Sequence, residues 1–360
     1  TRPVITMAAA AEGFDVGPLP NRLVGFDAPT VWHEFTPLSN AVHAVNLGQG
    51  FPDWSPPDFV SEVAVSSIQE HHQQYARPAG HLHLVERLAA KYTKSLGRDV
   101  NAMTNIAITV GASEALYVAM QAFLEKGDEV ILIEPSYDSY AACVQLAGGV
   151  VKPVPLRAAC EPPKSTQDLR LDMKEFRAAF TEKTRLVLIN TPHNPTGKVY
   201  WREELEAISE VVRDFPRVMV LTDEVYEHML YDGAQHVHMA TLPGMWERTV
   251  TISSAAKTFS ITGWKIGWMV GPEKLVQRIN MVNQWVVFCV STPHQEAVAR
   301  ALARADDPCD GHPSYWQWLN SHMLQKRDRL LGALRGAGLH AITPEGAFFI
   351  MVDTQGVDFP

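Results

Sequence analysis

The chain is expected to fold as an α/β protein around a mostly parallel sheet, because short apolar β-branched runs alternate with amphipathic stretches from about Pro57 onward. The runs are Glu129–Ile133, Thr184–Ile189, Val218–Thr222 and Thr249–Ile252. Each is short and nearly continuous in hydrophobicity, the signature of a strand covered on both faces. Between them, Leu171–Phe180 and Arg202–Arg213 carry apolar residues at three- and four-residue intervals, as crossover helices do. Open α/β sheets bind ligands beyond the carboxyl ends of their strands. The polar residues directly after the runs therefore mark one crevice: Glu134–Tyr137, Asn190–Gly197, Asp223–Tyr226 and Ser253–Lys257.

Two further elements follow. Gly111-Ala112-Ser113 stands just before an apolar-periodic helix, Glu114–Leu124, whose N-terminal amides can cradle an anion. Towards the end, a long amphipathic helix is expected over Tyr315–Ala337, then a strand over Pro344–Val352. The chain stops soon after at Pro360, where the expectation is an unfinished domain, because a fold of this kind would need further elements to cover that strand. At the other end, Thr1–Gly13 carries too little basic charge for a transit peptide, and position 1 leaves the native start unset.

Composition narrows the function. With 360 residues, 46% of them hydrophobic and 20% charged, the chain suits a large core or two packed domains. A net charge of -9 argues against a nucleic-acid or acidic-membrane surface and favours a small-molecule substrate. No apolar run reaches the roughly 18 residues of a membrane helix. Cys143, Cys160, Cys289 and Cys309 form no Cys-x-x-Cys pair, so a reducing compartment is expected, cytoplasmic or else mitochondrial. The triplet Asn194-Pro195-Thr196 is blocked as a glycosylation acceptor by its proline.

The most informative run is Ser254-Ala255-Ala256-Lys257-Thr258-Phe259-Ser260-Ile261-Thr262-Gly263-Trp264-Lys265. Ser254-x-x-Lys257 also fits penicillin-recognising acyl enzymes, but their Ser-Asp-Asn and Lys-Thr-Gly partners are absent from the sequence. Taken in order with Val45–Asp53, Thr109–Ala112, Glu134-Pro135, Asn190–Lys198 and Thr222–Tyr226, the run resembles the fold-type I pyridoxal phosphate (PLP) aminotransferases of class I/II. The finer wording, including Leu242–Thr249, is similar to the kynurenine aminotransferase and glutamine transaminase K branch, over about Trp32–Val352.

The resemblance implies a large PLP-binding domain over residues 51–310, an N-terminal arm and small-domain segment over 1–50, and the start of a smaller α+β domain from 311. It implies that Lys257 holds the cofactor aldehyde as a Schiff base and later moves the proton as a general acid/base. Asp223 would pair with the pyridine nitrogen, although an aspartate after a strand is also a common helix N-cap. Asn194 and Tyr226 would bond the ring's phenolic oxygen, with Asn190 nearby and Tyr137 stacking on the ring; Asn-Pro also marks turns, and tyrosines near strand ends often only pack. Gly111, Ala112, Ser113, Ser254 and Lys265 would hold the phosphate, and Gly50 would lie near the substrate carboxylate.

By motif position Trp32, Tyr75 and Phe288 look like the family's aromatic pocket, with Tyr75 and Phe288 supplied by the neighbouring subunit of a homodimer; ordinary core packing explains them nearly as well. The family's carboxylate-binding arginine has no match before Pro360. The implied reaction is ping-pong transfer of the amino group of an aromatic or glutamine-like amino acid to a 2-oxo acid. The same cofactor site can run β-elimination on cysteine conjugates, and a PLP-binding module impaired in catalysis is the second class. His71-His72 and His81-x-His83 lack a carboxylate or cysteine at metal spacing, so solvated histidines and no metal are expected.

Overall fold

The computed structural model describes residues 17–52 and 54–357. Thr1–Gly13 and the last residues before the Pro360 terminus lie outside the described part. By internal contacts the chain divides into two units, Thr1–Gln49 and Gly50–Pro360. The first carries α1 (Val31–Ala41), a helix with no buried residue and with Pro37 inside it. Asn46 then closes a turn, its Oδ1 accepting from the amides of Gly48 at 3.0 Å and Gln49 at 3.2 Å.

The second unit runs in order through α2 (Asp58–Gln69), α3 (Leu82–Leu96), β1 (Ile106–Val110), α4 (Gly111–Phe123), β2 (Glu129–Glu134), α5 (Asp138–Leu146) and β3 (Val150–Ala158). It continues with β4 (Leu169–Leu171), α6 (Met173–Ala178), β5 (Thr184–Asn190), α7 (Arg202–Arg213), β6 (Met219–Asp223), β7 (Thr249–Ser254), α8 (Ala255–Thr258) and β8 (Ile266–Val270). The last elements are α9 (Glu273–Val286), α10 (Thr292–Arg304), α11 (Tyr315–Gly336), β9 (His340–Ala341) and β10 (Val352–Asp353).

Eight strands form one sheet in the order β1-β8-β7-β6-β5-β2-β3-β4. The four expected strands are its contiguous parallel centre, β7-β6-β5-β2. Their alternation shows why they read as continuous apolar runs. Leu132, Leu188, Leu221 and Ile252 pack on one face with Leu116, Met120 and Phe123 of α4 and Val276 and Ile279 of α9. Ile131, Ile133, Val187 and Val220 pack on the other with Phe176 of α6 and Leu205, Ile208 and Val212 of α7. Burying each such side chain contributes about 1.5–3 kcal/mol, so both faces must be covered. β8 runs antiparallel to both β7 and β1. A third apolar cluster joins α2, α3, α10 and α11 beyond β1 and β8.

Two expectations are corrected. The helix read from Leu171 to Phe180 starts only at Met173 and ends at Ala178, because Leu171 pairs with Leu156 of β3 as the end of β4. Asp172 caps the helix, its carboxylate accepting from the amides of Lys174 at 2.8 Å and Glu175 at 3.1 Å. Secondly, Pro344–Val352 is not a continuous strand; Val352-Asp353 pairs with His340-Ala341, and Gly346 makes one isolated antiparallel bridge with Leu230. The intervening residues bond instead to two loops. The amides of Glu345 and Gly346 donate to Gly197 O, and that of Ala347 donates to Met229 O. A Cβ on Gly346 would stand 2.8 Å from Met229 O, so the apolar run is a tightly seated loop.

Candidate active site

The carboxyl ends of β5, β6 and β7 lie side by side, which places Asn190, Asp223 and Ser254 at one edge of the sheet. Asn190 ties the edge together: its Nδ2 donates to Asp223 O at 2.8 Å and its Oδ1 accepts from the Asn194 amide at 2.6 Å. The two bonds together link the turn holding Asn194, through Asn190, to the strand holding Asp223. Burial pushes the Asp223 carboxyl up to about 6, against the opposing pull of a hydrogen bond from Tyr140 Oη at 2.8 Å and of the Lys257 charge. Tyr140 stands three residues after Tyr137, and their rings meet edge-on with centroids 5.6 Å apart.

Lys257 follows β7 on the short helix α8. Burial lowers its amine to about 8, with Asp223 opposing and Lys265 adding to the fall. The amine donates to Gly50 O at 3.3 Å and stands 5.4 Å from the Phe348 ring centroid. Tyr226 is buried, and its ring meets Phe348 at 5.3 Å and Phe349 at 5.7 Å. A Cβ on Gly50 would fall 2.5 Å from Phe349, so only glycine brings that backbone so close.

The residues expected to hold a phosphate are brought together by close approach. Gly111, Ala112 and Ser113 are not ahead of the helix as expected but form the first turn of α4, so their amides are among its unsatisfied N-terminal donors. Lys265, held at φ 55°, brings its Nζ within 3.3 Å of where a Gly111 Cβ would be. β8 backs this turn: a Cβ on Gly267 would meet Gly111 C at 2.5 Å and Ala112 N at 2.7 Å. Ser254 lies opposite Gly267 in the β7–β8 ladder.

The residues fit a phosphorylated pyridine aldehyde. They offer an amine lowered toward neutrality by burial, a carboxyl raised by burial that a cation would stabilise, and a helix terminus with an adjacent lysine for a dianion. Tyr75 and Phe288 are brought together, rings 5.2 Å apart, but on the surface, with Tyr75 82% exposed. Trp32 lies on α1 in the other unit, partly exposed.

The sequence reading missed Tyr140, Phe348 and Phe349. Tyr140 was detectable as the i+3 neighbour of Tyr137 on the helix after β2. The phenylalanines were hidden by being assigned to a strand. A buried ionic layer behind the site was also missed. There Glu224 accepts from His236 Nε2 at 2.9 Å and His238 Nδ1 at 2.5 Å, while Glu227 accepts from Lys91 at 2.7 Å and Ser253 at 2.8 Å. His81 and His83 stand at the start of α3 and keep partial solvent exposure as expected, but they also have a partner the sequence did not show. Both rings contact Glu296 Oε2, at 2.8 and 3.0 Å, a carboxylate more than two hundred residues away and invisible to local spacing.

Comparisons with known proteins identify the family. The family model "Aminotransferase class I and II" matches residues 42–358. The chain is 45% identical to kynurenine--oxoglutarate transaminase of Dictyostelium discoideum over 94% of its length and 79% of the relative's, and 42% identical to kynurenine--oxoglutarate transaminase 3 of Homo sapiens over 94% and 74%. Among solved structures it is similar to YbdL of Escherichia coli, described with a methionine aminotransferase function (TM-score 0.87, 36% identity, 96% of this chain and 86% of that one). N-succinyldiaminopimelate aminotransferase of Mycobacterium tuberculosis is equally similar in fold (TM-score 0.87, 38% identity, 95% and 85%). The chain belongs to the class I and II aminotransferases, PLP-dependent enzymes of fold type I.

Proposed function

We propose that this aminotransferase takes its amino group from an aromatic or glutamine-like amino acid, kynurenine among them, and passes it to a 2-oxo acid such as 2-oxoglutarate. The observation that carries the reading is the convergence of Lys257, Asp223 and the Gly111–Lys265 cradle at one end of the parallel strands. The names of the similar transaminases support the substrate class, as does the aromatic wall of Tyr226, Phe348 and Phe349 beside the Lys257 amine.

PLP, when bound, supplies an electron sink that stabilises negative charge at the substrate α-carbon. Asp223 would hold the pyridine nitrogen protonated, since a buried carboxylate is stabilised by a cation and Tyr140 fixes its orientation. The first turn of α4, with Ser254 and Lys265, would bind the phosphate and so orient the ring. Asn194 and Tyr226 would bond the phenolic oxygen, with Tyr137 against the ring face. Lys257 would attach the cofactor as a Schiff base, and its amine, once displaced by the substrate amine and lowered to about 8, would move a proton between the substrate α-carbon and the cofactor's aldehyde carbon. Tyr75 and Phe288, paired and exposed, suit a role in a neighbouring subunit's pocket, which makes the working form a homodimer. Gly50 would lie against the substrate carboxylate, and Trp32 is a substrate-binding aromatic by family resemblance alone. The four cysteines, none disulfide-bonded, support a cytoplasmic setting. Among the described residues no helix is long and apolar enough to cross a membrane.

Purified protein is incubated with PLP, kynurenine or glutamine, and 2-oxoglutarate, and the oxo acid and glutamate formed are measured. Stoichiometric products support the reading. Turnover of other amino donors with neither of these consumed would overturn the substrate class.

A further inference from the structure

The histidines flanking the Tyr75 segment take no part in amino transfer, yet the fold gathers them. His72 follows α2, His81 and His83 open α3, and Glu296 comes from α10. The His72 and His81 rings lie 5.8 Å apart, and one donor atom from each of His72, His81 and Glu296 falls within 4.8 Å of the others. We propose that His72, His81 and Glu296 form a binding site for one divalent transition-metal ion of the zinc class, with His83 and Arg300 as outer positioning residues.

Two imidazoles and a carboxylate are the mixed nitrogen–oxygen set such an ion prefers, at about 2.0–2.2 Å from each donor. Tetrahedral arms of that length put donors about 3.4 Å apart, so His81 Nε2 and Glu296 Oε2, now 2.8 Å apart, must open slightly, and the His72 donor already lies within 4.8 Å of both. The ion replaces the proton shared by that pair, and water takes the fourth position.

The outer shell is already in place. His83 Nδ1 lies 3.0 Å from Glu296 Oε2, and Arg300 Nε donates to the other oxygen at 2.6 Å. Ligating carboxylates are oriented by partners of this kind. Arg300 does not make the site repel a cation, because Glu70 accepts from it at 3.0 and 2.6 Å and cancels its charge. The site is also open: the His81 and His83 side chains are 21% and 37% exposed. By contrast, the second cluster of this type, Glu224 with His236 and His238, is sealed in the interior, with side chains at most 8% exposed.

The ion would brace the loop carrying Tyr75 against α10. That loop is already bonded there by Thr292 Oγ1 to Gln74 O at 2.6 Å and by the His81 amide to Gln295 Oε1 at 2.7 Å.

PLP-loaded protein is stripped with a chelator, dialysed, and titrated with Zn²⁺ by calorimetry, with Co²⁺ as a visible-absorption probe of tetrahedral coordination. One ion per chain is expected. His72→Ala should weaken affinity at least about 100-fold and His83→Ala about 10-fold, in line with ligand and outer-shell losses. Cofactor absorbance and far-ultraviolet dichroism should match the parent protein; His72 is partly exposed, so its variant stays informative even if Glu296→Gln fails to fold. The proposal fails if no ion binds, if binding survives His72→Ala undiminished, or if His238→Ala abolishes binding while His72→Ala does not.

Discussion

Replacing Tyr140 by phenylalanine removes one hydroxyl and leaves the ring in place, isolating the hydrogen bond it donates to Asp223 Oδ2 at 2.8 Å. Both residues are buried, Tyr140 at 2% and Asp223 at 4% exposure, so water cannot readily substitute. A hydrogen bond to a buried charged group is worth about 1.5–3 kcal/mol. The bond favours the ionised carboxylate, whose carboxyl burial has already pushed up to about 6. Losing it raises that value by about one to two further pH units, at 1.36 kcal/mol per unit. An acid binds its proton below its pKa, so the variant's carboxylate is neutralised at a higher pH than the parent's.

The assay is the affinity of the apoprotein for PLP across pH 5–9. The parent should lose affinity as pH falls through about 6, and Tyr140→Phe should lose it about one unit or more earlier on the same descent. Affinity at pH 9, where Asp223 is ionised in both, should differ far less. An acid limb that does not move, with affinity reduced equally at every pH, would refute the coupling and reduce Tyr140 to a packing residue.

Three other outcomes follow from the same geometry. Gly267→Ala drives a methyl group into Gly111 C and Ala112 N, backbone atoms that cannot rotate away, so the first turn of α4 must shift; PLP affinity by fluorescence titration should fall at least about tenfold, by misplacement of the phosphate donors. Asp223→Asn removes a carboxyl raised from 3.8 to about 6, a rise that costs the folded apoprotein about 3 kcal/mol above pH 6 and nothing below pH 4. Apo Asp223→Asn should therefore be more stable than the parent in urea at pH 8 by up to that amount, with the gain vanishing at pH 4, while PLP affinity falls. Lys257→Ala removes the amine, so borohydride treatment that fixes PLP covalently on the parent should leave the variant unlabelled by mass spectrometry.

Much of this molecule was legible in its residue order. The four central strands and α7 declare themselves because a strand or helix wedged between covering layers must carry a regular apolar pattern, and Leu132, Leu188, Leu221 and Ile252 do so. Lys257, Asp223, Asn194 and Tyr226 stand directly after those strands or shortly beyond, where a parallel sheet exposes its ligand-binding edge.

Other features were decided by contacts between distant segments. The apolar stretch Pro344–Val352 has a strand's composition, but its amides are taken by Gly197 and Met229, and it delivers Phe348 and Phe349 to the site as a loop. The hydrogen bond of Tyr140 to Asp223 spans 83 positions, and that of His81 to Glu296 spans 215. The sequence by itself determined which residues can carry the cofactor chemistry, because strand pattern and motif are local. Only the tertiary structure decided what tunes them, because hydrogen bonds and burial act through space at about 3 Å regardless of separation along the chain.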